Sequence, residues 1–250
     1  VNPNRVISIV DPGNICDGEE VQFCATVTGG TAPYTVEWFG PDGQSLGVCE
    51  MVMDGGECCS PFVSVPGEYC VVATDSVGCV GEDCITLNVD SNVTVNVEPR
   101  NGVICEGESQ MFCATVSDGA APYTVEWRDA AGNIVDVCMD VPEDGQCCIT
   151  VSEPGEYCAF VIDANGCVGE ACAMLTVVEN PEVVVDPPVA IICDGDTAEF
   201  CAVVTGGLPP YEYLWNTGET SECITVGDAG EYCVTIIDAN GCTAEACGTM

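Results

Sequence analysis

Sulfur is the side-chain chemistry this chain carries in greatest supply. It has 22 cysteines, no histidine and no lysine, and its three arginines are Arg5, Arg100 and Arg128. No two cysteines stand in CxxC spacing, so zinc ribbons, haem attachment and thioredoxin-type redox motifs find no support. Without histidine or lysine, the usual general base and the Schiff-base nucleophile are missing. Carboxylates are plentiful, but no spacing singles out an acid pair of the kind that hydrolyses glycosides. The chain reads as a non-enzyme with no cofactor. An even cysteine count in a turn-rich chain points instead to disulfides made in an oxidising, exported setting.

Charge narrows the partners. Acidic residues number 41, and the net charge is −38. Such a surface repels phosphate backbones and anionic lipid, which argues against nucleic acid and membrane partners. No run approaches the ~20 apolar residues of a membrane span. The charge suits a soluble exterior in a salt- or mineral-rich medium and leaves cation binding open. With 47 % hydrophobic residues in regular alternation, this is not a disordered acidic tail. No leader is visible, so export implies that Val1 follows a cleavage site or begins a slice of a longer chain.

The cysteines fall in a repeat. Gly67-Glu68-Tyr69-Cys70 followed by Asp75-Ser76-Val77-Gly78-Cys79 recurs at residues 155–167 and 230–242. Trp38, Trp127 and Trp215 mark the same period, 89 and then 88 residues. A period this long, with strand patterns inside it, means a string of small domains. Three modules are expected, at residues 1–89, 90–178 and 179–250, the last one shorter and lacking most of its final strand.

Inside module one the apolar pattern alternates with period two. Strands are expected at 6–10, 21–27, 34–38, 59–65, 69–75 and 84–89. A hairpin after Pro41-Asp42-Gly43 reaches Cys49 and Cys58. Tyr34, Val36 and Trp38 share one face, as do Val21, Phe23, Ala25 and Val27. About seven short strands around a core tryptophan predict an all-β chain of three tandem immunoglobulin-like sandwiches, rich in disulfides. Tyr34, Trp38 and Tyr69 would also make a sugar platform, but their parity places them in the core.

Ile15-Cys16-Asp17-Gly18, Gly29-Gly30-x-x-Pro33-Tyr34, Trp38, Gly-x-Tyr and Asp163-Ala-Asn-Gly-Cys167 together resemble the SprB-type and PKD-like immunoglobulin-like repeats of Bacteroidetes surface proteins. The resemblance runs through all three modules. It implies a secreted or cell-surface bacterial protein, a filamentous adhesin or stalk. Such repeats resemble this chain at the Ile-Cys and Gly-Cys positions but carry far fewer cysteines, and the surplus suggests an unusually cross-linked structure.

Geometry sorts the surplus. Modules one and two hold eight cysteines each and module three six. The two missing from module three go with a shortened hairpin, which pairs Cys49 with Cys58 and Cys138 with Cys147. Parity puts Cys24 and Cys70 on outer faces, so no bond through the core joins them. Neighbouring strands then suggest Cys24–Cys59, Cys113–Cys148 and Cys201–Cys223. The last hairpin suggests Cys70–Cys84, Cys158–Cys172 and Cys233–Cys247.

Cys16, in the first turn of its module, and Cys79, in the last turn, sit at opposite ends of a sandwich. A strand of seven residues holds them ~23 Å apart, beyond the ~7 Å that a disulfide tolerates between α-carbons. Modules strung head to tail would instead join Cys16 to Cys167 and Cys105 to Cys242. Cys193 would then pair with Cys79 of the next subunit. The alternative is closure of Cys16 with Cys79 inside each module.

At such junctions Asp75, Asp163 and Asp238 would approach Asp17, Glu106 and Asp194 and could hold calcium; otherwise the Asp-x-x-Gly carboxylates serve their own turns. Asn92-Val93-Thr94 is a lone glycosylation sequon. Met250 read into Val1-Asn2-Pro3-Asn4 imitates a module boundary, as in a longer array or in strand exchange between subunits. The expected function is the structural subunit of an extracellular filament, sheath or surface stalk, with itself as partner. The alternative is a cell-surface adhesin that binds glycans or other surface proteins.

Overall fold

The computed structural model describes residues 6–250. Arg5 and Val1-Asn2-Pro3-Asn4 lie outside the described residues. Module one runs β1 (Val6–Ile9), β2 (Ile15–Cys16), β3 (Cys24–Thr28), β4 (Tyr34–Phe39), β5 (Ser45–Val52), β6 (Gly56–Cys59), β7 (Gly67–Thr74), β8 (Val80–Leu87) and β9 (Val89–Asp90). Module two continues with β10 (Thr94–Glu98), β11 (Asn101–Cys105), β12 (Gln110–Ser117), β13 (Tyr123–Asp129), β14 (Ile134–Val141), β15 (Gln146–Val151), β16 (Gly155–Ile162) and β17 (Val168–Val178). Module three holds β18 (Pro181–Asp186), β19 (Ala198–Gly206), β20 (Glu212–Trp215), β21 (Cys223–Val226), β22 (Glu231–Ile237) and β23 (Thr243–Thr249). The described chain is all β, with no helix.

Period-two alternation sends one face of each strand inward, and two sheets close over those faces in every module. Sheet β1-β3-β6 faces β5-β4-β7-β8, β10-β12-β15 faces β11-β17-β16-β13-β14, and β18-β19-β21 faces β20-β22-β23. Each sandwich has its own core. In module one, Phe23 just before β3 and Ala25 and Val27 within it meet Tyr34, Val36, Trp38, Tyr69 and Val71 of the second sheet.

Buried polar atoms find partners. The indole N–H of Trp38 donates to the Cys58 carbonyl at 3.1 Å, Trp127 to Cys147 at 3.2 Å and Trp215 to Ser221 at 2.9 Å. The tyrosine of each Gly-Glu-Tyr donates its hydroxyl four residues back, Tyr69 to Val65 O, Tyr157 to Glu153 O and Tyr232 to Asp228 O. That is the tyrosine corner of immunoglobulin-like sandwiches. Tyr34, Trp38 and Tyr69 are at most 2 % exposed, which removes them as a sugar platform.

Several strand bounds depart from the sequence reading; β8, expected at 84–89, starts early at Val80. The strand expected at 21–27 begins at Cys24, and Val21 makes only an isolated bridge to Val63. The strand expected at 59–65 ends at Cys59. Pro61 has no N–H to give a ladder, whereas module two has Ile149 and Thr150 after its paired cysteines and β15 continues to Val151. Last, the final strand of module three is more complete than expected. β23 pairs with β22 from Glu231↔Thr249 to Ile237↔Thr243. It stops short only of the stretch in which β17 goes on to pair in parallel with β11, from Asn101↔Met174 to Cys105↔Val178.

Candidate functional site: the module junctions

Two turns meet at each junction. The last turn is shaped by its aspartate and its glycine. Asp163 Oδ1 accepts from the N–H groups of Asn165 and Cys167, and Oδ2 accepts from Ala120 N–H. Asp75 Oδ1 likewise holds Val77 and Cys79 N–H, and Asp238 holds Asn240, Cys242 and Leu208. Gly78, Gly166 and Gly241 supply the positive φ, 86°, 93° and 88°, that brings the chain round to the cysteine. For Asp238, burial pushes the carboxyl pKa up, but the backbone donors of Leu208, Cys242, Asn240 and Gly241 outweigh it and hold the group below its ordinary value.

The first turn is held by a parallel ladder. β2 pairs with β9 through Ile15↔Val89 and Cys16↔Asp90. A glutamate three residues after the cysteine caps the turn: Cys16 N–H donates to Glu19 Oε2 at 2.9 Å and Cys105 N–H to Glu108 Oε2 at 3.1 Å. This ladder aims Cys16, and the parallel ladder of β11 with β17 aims Cys105, out of the exit end of its sandwich.

There they meet the last turn of the following module. Cys16 is bonded to Cys167 with α-carbons 5.5 Å apart, and Cys105 to Cys242 at 5.6 Å. Cys167 and Cys242 are each 1 % exposed. Polar side chains surround the first junction. Asp90 Oδ2 accepts from Asn14 Nδ2 at 3.0 Å and from Asn165 Nδ2 at 2.9 Å, tying two strands of module one to the last turn of module two. Asn92 Nδ2 donates to the Asp17 carbonyl, and Asn180 Nδ2 repeats the contact with Glu106 O at the second junction. Sequence reading missed Asn14, Asp90 and Asn165 and named Asn92, Asp17 and Glu106 only for other roles. Their signal was faint: Asn92 and Asn180 precede the entry strands of modules two and three at matching positions.

The remaining cysteines close each sandwich. Cys24–Cys59, Cys113–Cys148 and Cys201–Cys223 staple the first sheets, and Cys70–Cys84, Cys158–Cys172 and Cys233–Cys247 staple the last hairpins, all with α-carbons 4.0–4.1 Å apart. Each pair sits directly opposite in its ladder. Cys49–Cys58 and Cys138–Cys147 are of another kind. Their hairpin crosses from one sheet to the other, so each bond spans the sandwich, with α-carbons 5.8 and 5.9 Å apart. The carbonyls of Cys58 and Cys147 are the ones that receive the tryptophan N–H.

Cys193 is free and exposed, and Cys79 is exposed on the last turn of module one. Among the described residues four Glu-Cys-Cys groups bring ligand atoms within 4.8 Å, for example Glu68 with Cys70 and Cys84. Their sulfurs are disulfide sulfurs without thiolate character, which makes them poor metal ligands.

The comparisons agree with this architecture. The SprB repeat model matches residues 191–220. Roundabout homolog 1 of Mus musculus is 24 % identical over 197 residues, 74 % of this chain and 12 % of that protein. Roundabout homolog 2 of Homo sapiens is 30 % identical over 154 residues, 61 % of this chain and 11 % of that protein. The chain thus spans about an eighth or less of the curated relatives it matches. Among solved structures, a three-domain I-band fragment of titin aligns over 100 % of this chain and 98 % of its own, with 17 % identity and a TM-score of 0.57. A second titin three-domain structure, an E-to-A variant, aligns at 0.52 with 16 % identity, covering 94 % and 93 %. The fold is that of tandem immunoglobulin-like domains, with an SprB-type repeat signature in the third.

Proposed function

We propose that this chain is a structural subunit of an extracellular filament, sheath or surface stalk, of the kind the SprB-type and PKD-like repeats of bacterial surface proteins suggest. The supporting observation is the rule that the two junction disulfides follow. In each, the first-turn cysteine of one module bonds the last-turn cysteine of the next. Carried one step further, the rule joins Cys193 to Cys79 of a following copy. Cys193 is free and exposed, and Ile192 beside it is half-buried, while its equivalents at the closed junctions, Ile15 and Ile104, are buried. The role is non-catalytic and extracellular, in keeping with disulfide-dense immunoglobulin-like domains. The acidic exterior keeps single chains soluble and leaves room for calcium at the module junctions.

Non-reducing gels and disulfide mapping test the proposal. A ladder of multimers carrying a Cys193–Cys79 peptide, collapsing on reduction, is the expected result. Monomers only, with Cys193 still a thiol after oxidative assembly, would overturn it.

An adhesin is the second reading, favoured by one feature. β5 and β14 are edge strands that expose Val48, Met51, Ile134, Val137 and Met139, and an exposed edge is a template for a partner's strand. Saturable binding of the single chain to a glycan or surface protein, lost on placing Lys at Val137, would favour it.

A further inference from the structure

We infer that the junction disulfides make the three sandwiches share an end-to-end pull, instead of taking it one after another. In modules joined only by linkers, tension enters each by its first strand and leaves by its last. The modules are then loaded in series, and the one that unfolds fastest under force opens first.

This chain routes tension differently. A pull from the N-terminal end runs along β1 and β2 to Cys16, crosses to Cys167, and goes on through β17 and β18 towards Cys193. A pull from the C-terminal end runs back along β23 to Cys242, crosses to Cys105, and goes on through β11, β10 and β9 into β8. Two covalent cables therefore overlap along all three modules, and each module contributes at least one strand to each cable.

In every module the two cables lie side by side in parallel. The contacts are Ile15↔Val89 and Cys16↔Asp90 in module one, Asn101↔Met174 to Cys105↔Val178 in module two, and Val189↔Thr249 in module three. Pulling the ends apart slides one cable past the other. All three contacts must shear together, each carrying part of the force. The last strand of each module cannot peel away either, because Cys70–Cys84, Cys158–Cys172 and Cys233–Cys247 staple it to its hairpin partner. Even after shearing, the shortest covalent route between the ends, through Cys16–Cys167, Cys148–Cys113 and Cys105–Cys242, crosses only roughly 50 residues, a bound on how far the chain can extend at ~3.5 Å per residue.

Single-molecule force spectroscopy on the full oxidised chain, held by its two ends, tests the inference. The expected trace has one rupture and one short length gain. The variant Cys16→Ser/Cys105→Ser/Cys167→Ser/Cys242→Ser should give three successive gains at lower force. Adding reductant to the wild-type chain in the trap should likewise replace the single event by several. Three separate gains from the oxidised wild type would overturn the inference, whether or not the variant folds. The inference concerns one chain: gels showing only monomers would defeat the filament reading and leave this one standing.

Discussion

The closed junctions and the two end faces of the molecule are built from the same repeat, yet they differ in what covers them. Cys167 and Cys242 are 1 % exposed inside junctions, whereas Cys79, in the same turn of module one, is exposed. Ile15 and Ile104 are buried beside their parallel partners, and Ile192 at the matching position is only half-buried. The cysteine of the last turn is thus covered by the neighbouring module at a junction, whereas the turn's aspartate is buried by its own sandwich, with Asp75 4 % exposed against 6 % for Asp163 and 5 % for Asp238.

The largest expected effect strikes that difference directly. On the proposed filament reading, Cys193→Ser should remove every disulfide-linked multimer from a non-reducing gel, while Cys49→Ser/Cys58→Ser, which touches no end face, should leave the ladder intact. Opening a closed junction comes next. Cys16→Ser/Cys167→Ser frees a loop of 151 residues, which in the loop-entropy model costs up to about 5 kcal/mol, less where the remaining disulfides already shorten the loop. Denaturant titration of the oxidised chain should register it, and Cys105→Ser/Cys242→Ser should behave alike.

Within a sandwich the cost should be smaller. Cys138→Ser/Cys147→Ser opens a separation of only 9 residues, worth about 2–3 kcal/mol in the same model. Module two would then melt more like module three, which lacks that bond.

Acid should act on the second junction before any substitution does. In the folded chain the Asp238 carboxyl sits below its ordinary pKa because backbone N–H donors outweigh its burial. Its contribution is therefore fully present above that value and is lost as pH falls through the depressed folded pKa. Module three should lose stability on acidification below about pH 4, and Asp238→Asn should flatten that part of the profile. The smallest effect is expected from Asn92→Ala, which removes one hydrogen bond to Asp17 O, about 1 kcal/mol. Hydrogen exchange near the first junction should rise with the sandwich cores unchanged.

How much of this could be read from the residues depends on how far each interaction reaches along the chain. Parity is local, and it suffices to put Cys24 and Cys59 on the outer faces of neighbouring strands. The tryptophan and tyrosine positions follow from the same rule, and so does the sandwich. The edges of the strands are less legible: β6 stops at Cys59 because Pro61 follows, a detail the alternation pattern hides. The Asp-x-x-Gly carboxylates serve their own turns, as the turn chemistry of aspartate alone suggests, and they also pin a second loop through Ala120 and Leu208. The asparagine contacts were out of reach because Asn165 meets Asp90 across 75 residues, and no local pattern encodes a partner that distant.

By itself the sequence determined the chemistry available, sulfur without histidine or lysine, together with three repeats, their inward and outward faces, and the grouping of cysteines by turn and strand. Tertiary structure decided what those groups do at the module ends. The 5.5 Å between Cys16 and Cys167 depends on the axis along which one sandwich follows another, a relation set by the parallel ladder of β2 with β9 and by the linker leading into β10. It also decided that the Cys49–Cys58 hairpin spans two sheets, since which sheet a strand joins is settled by packing against the whole core and not by its own alternation.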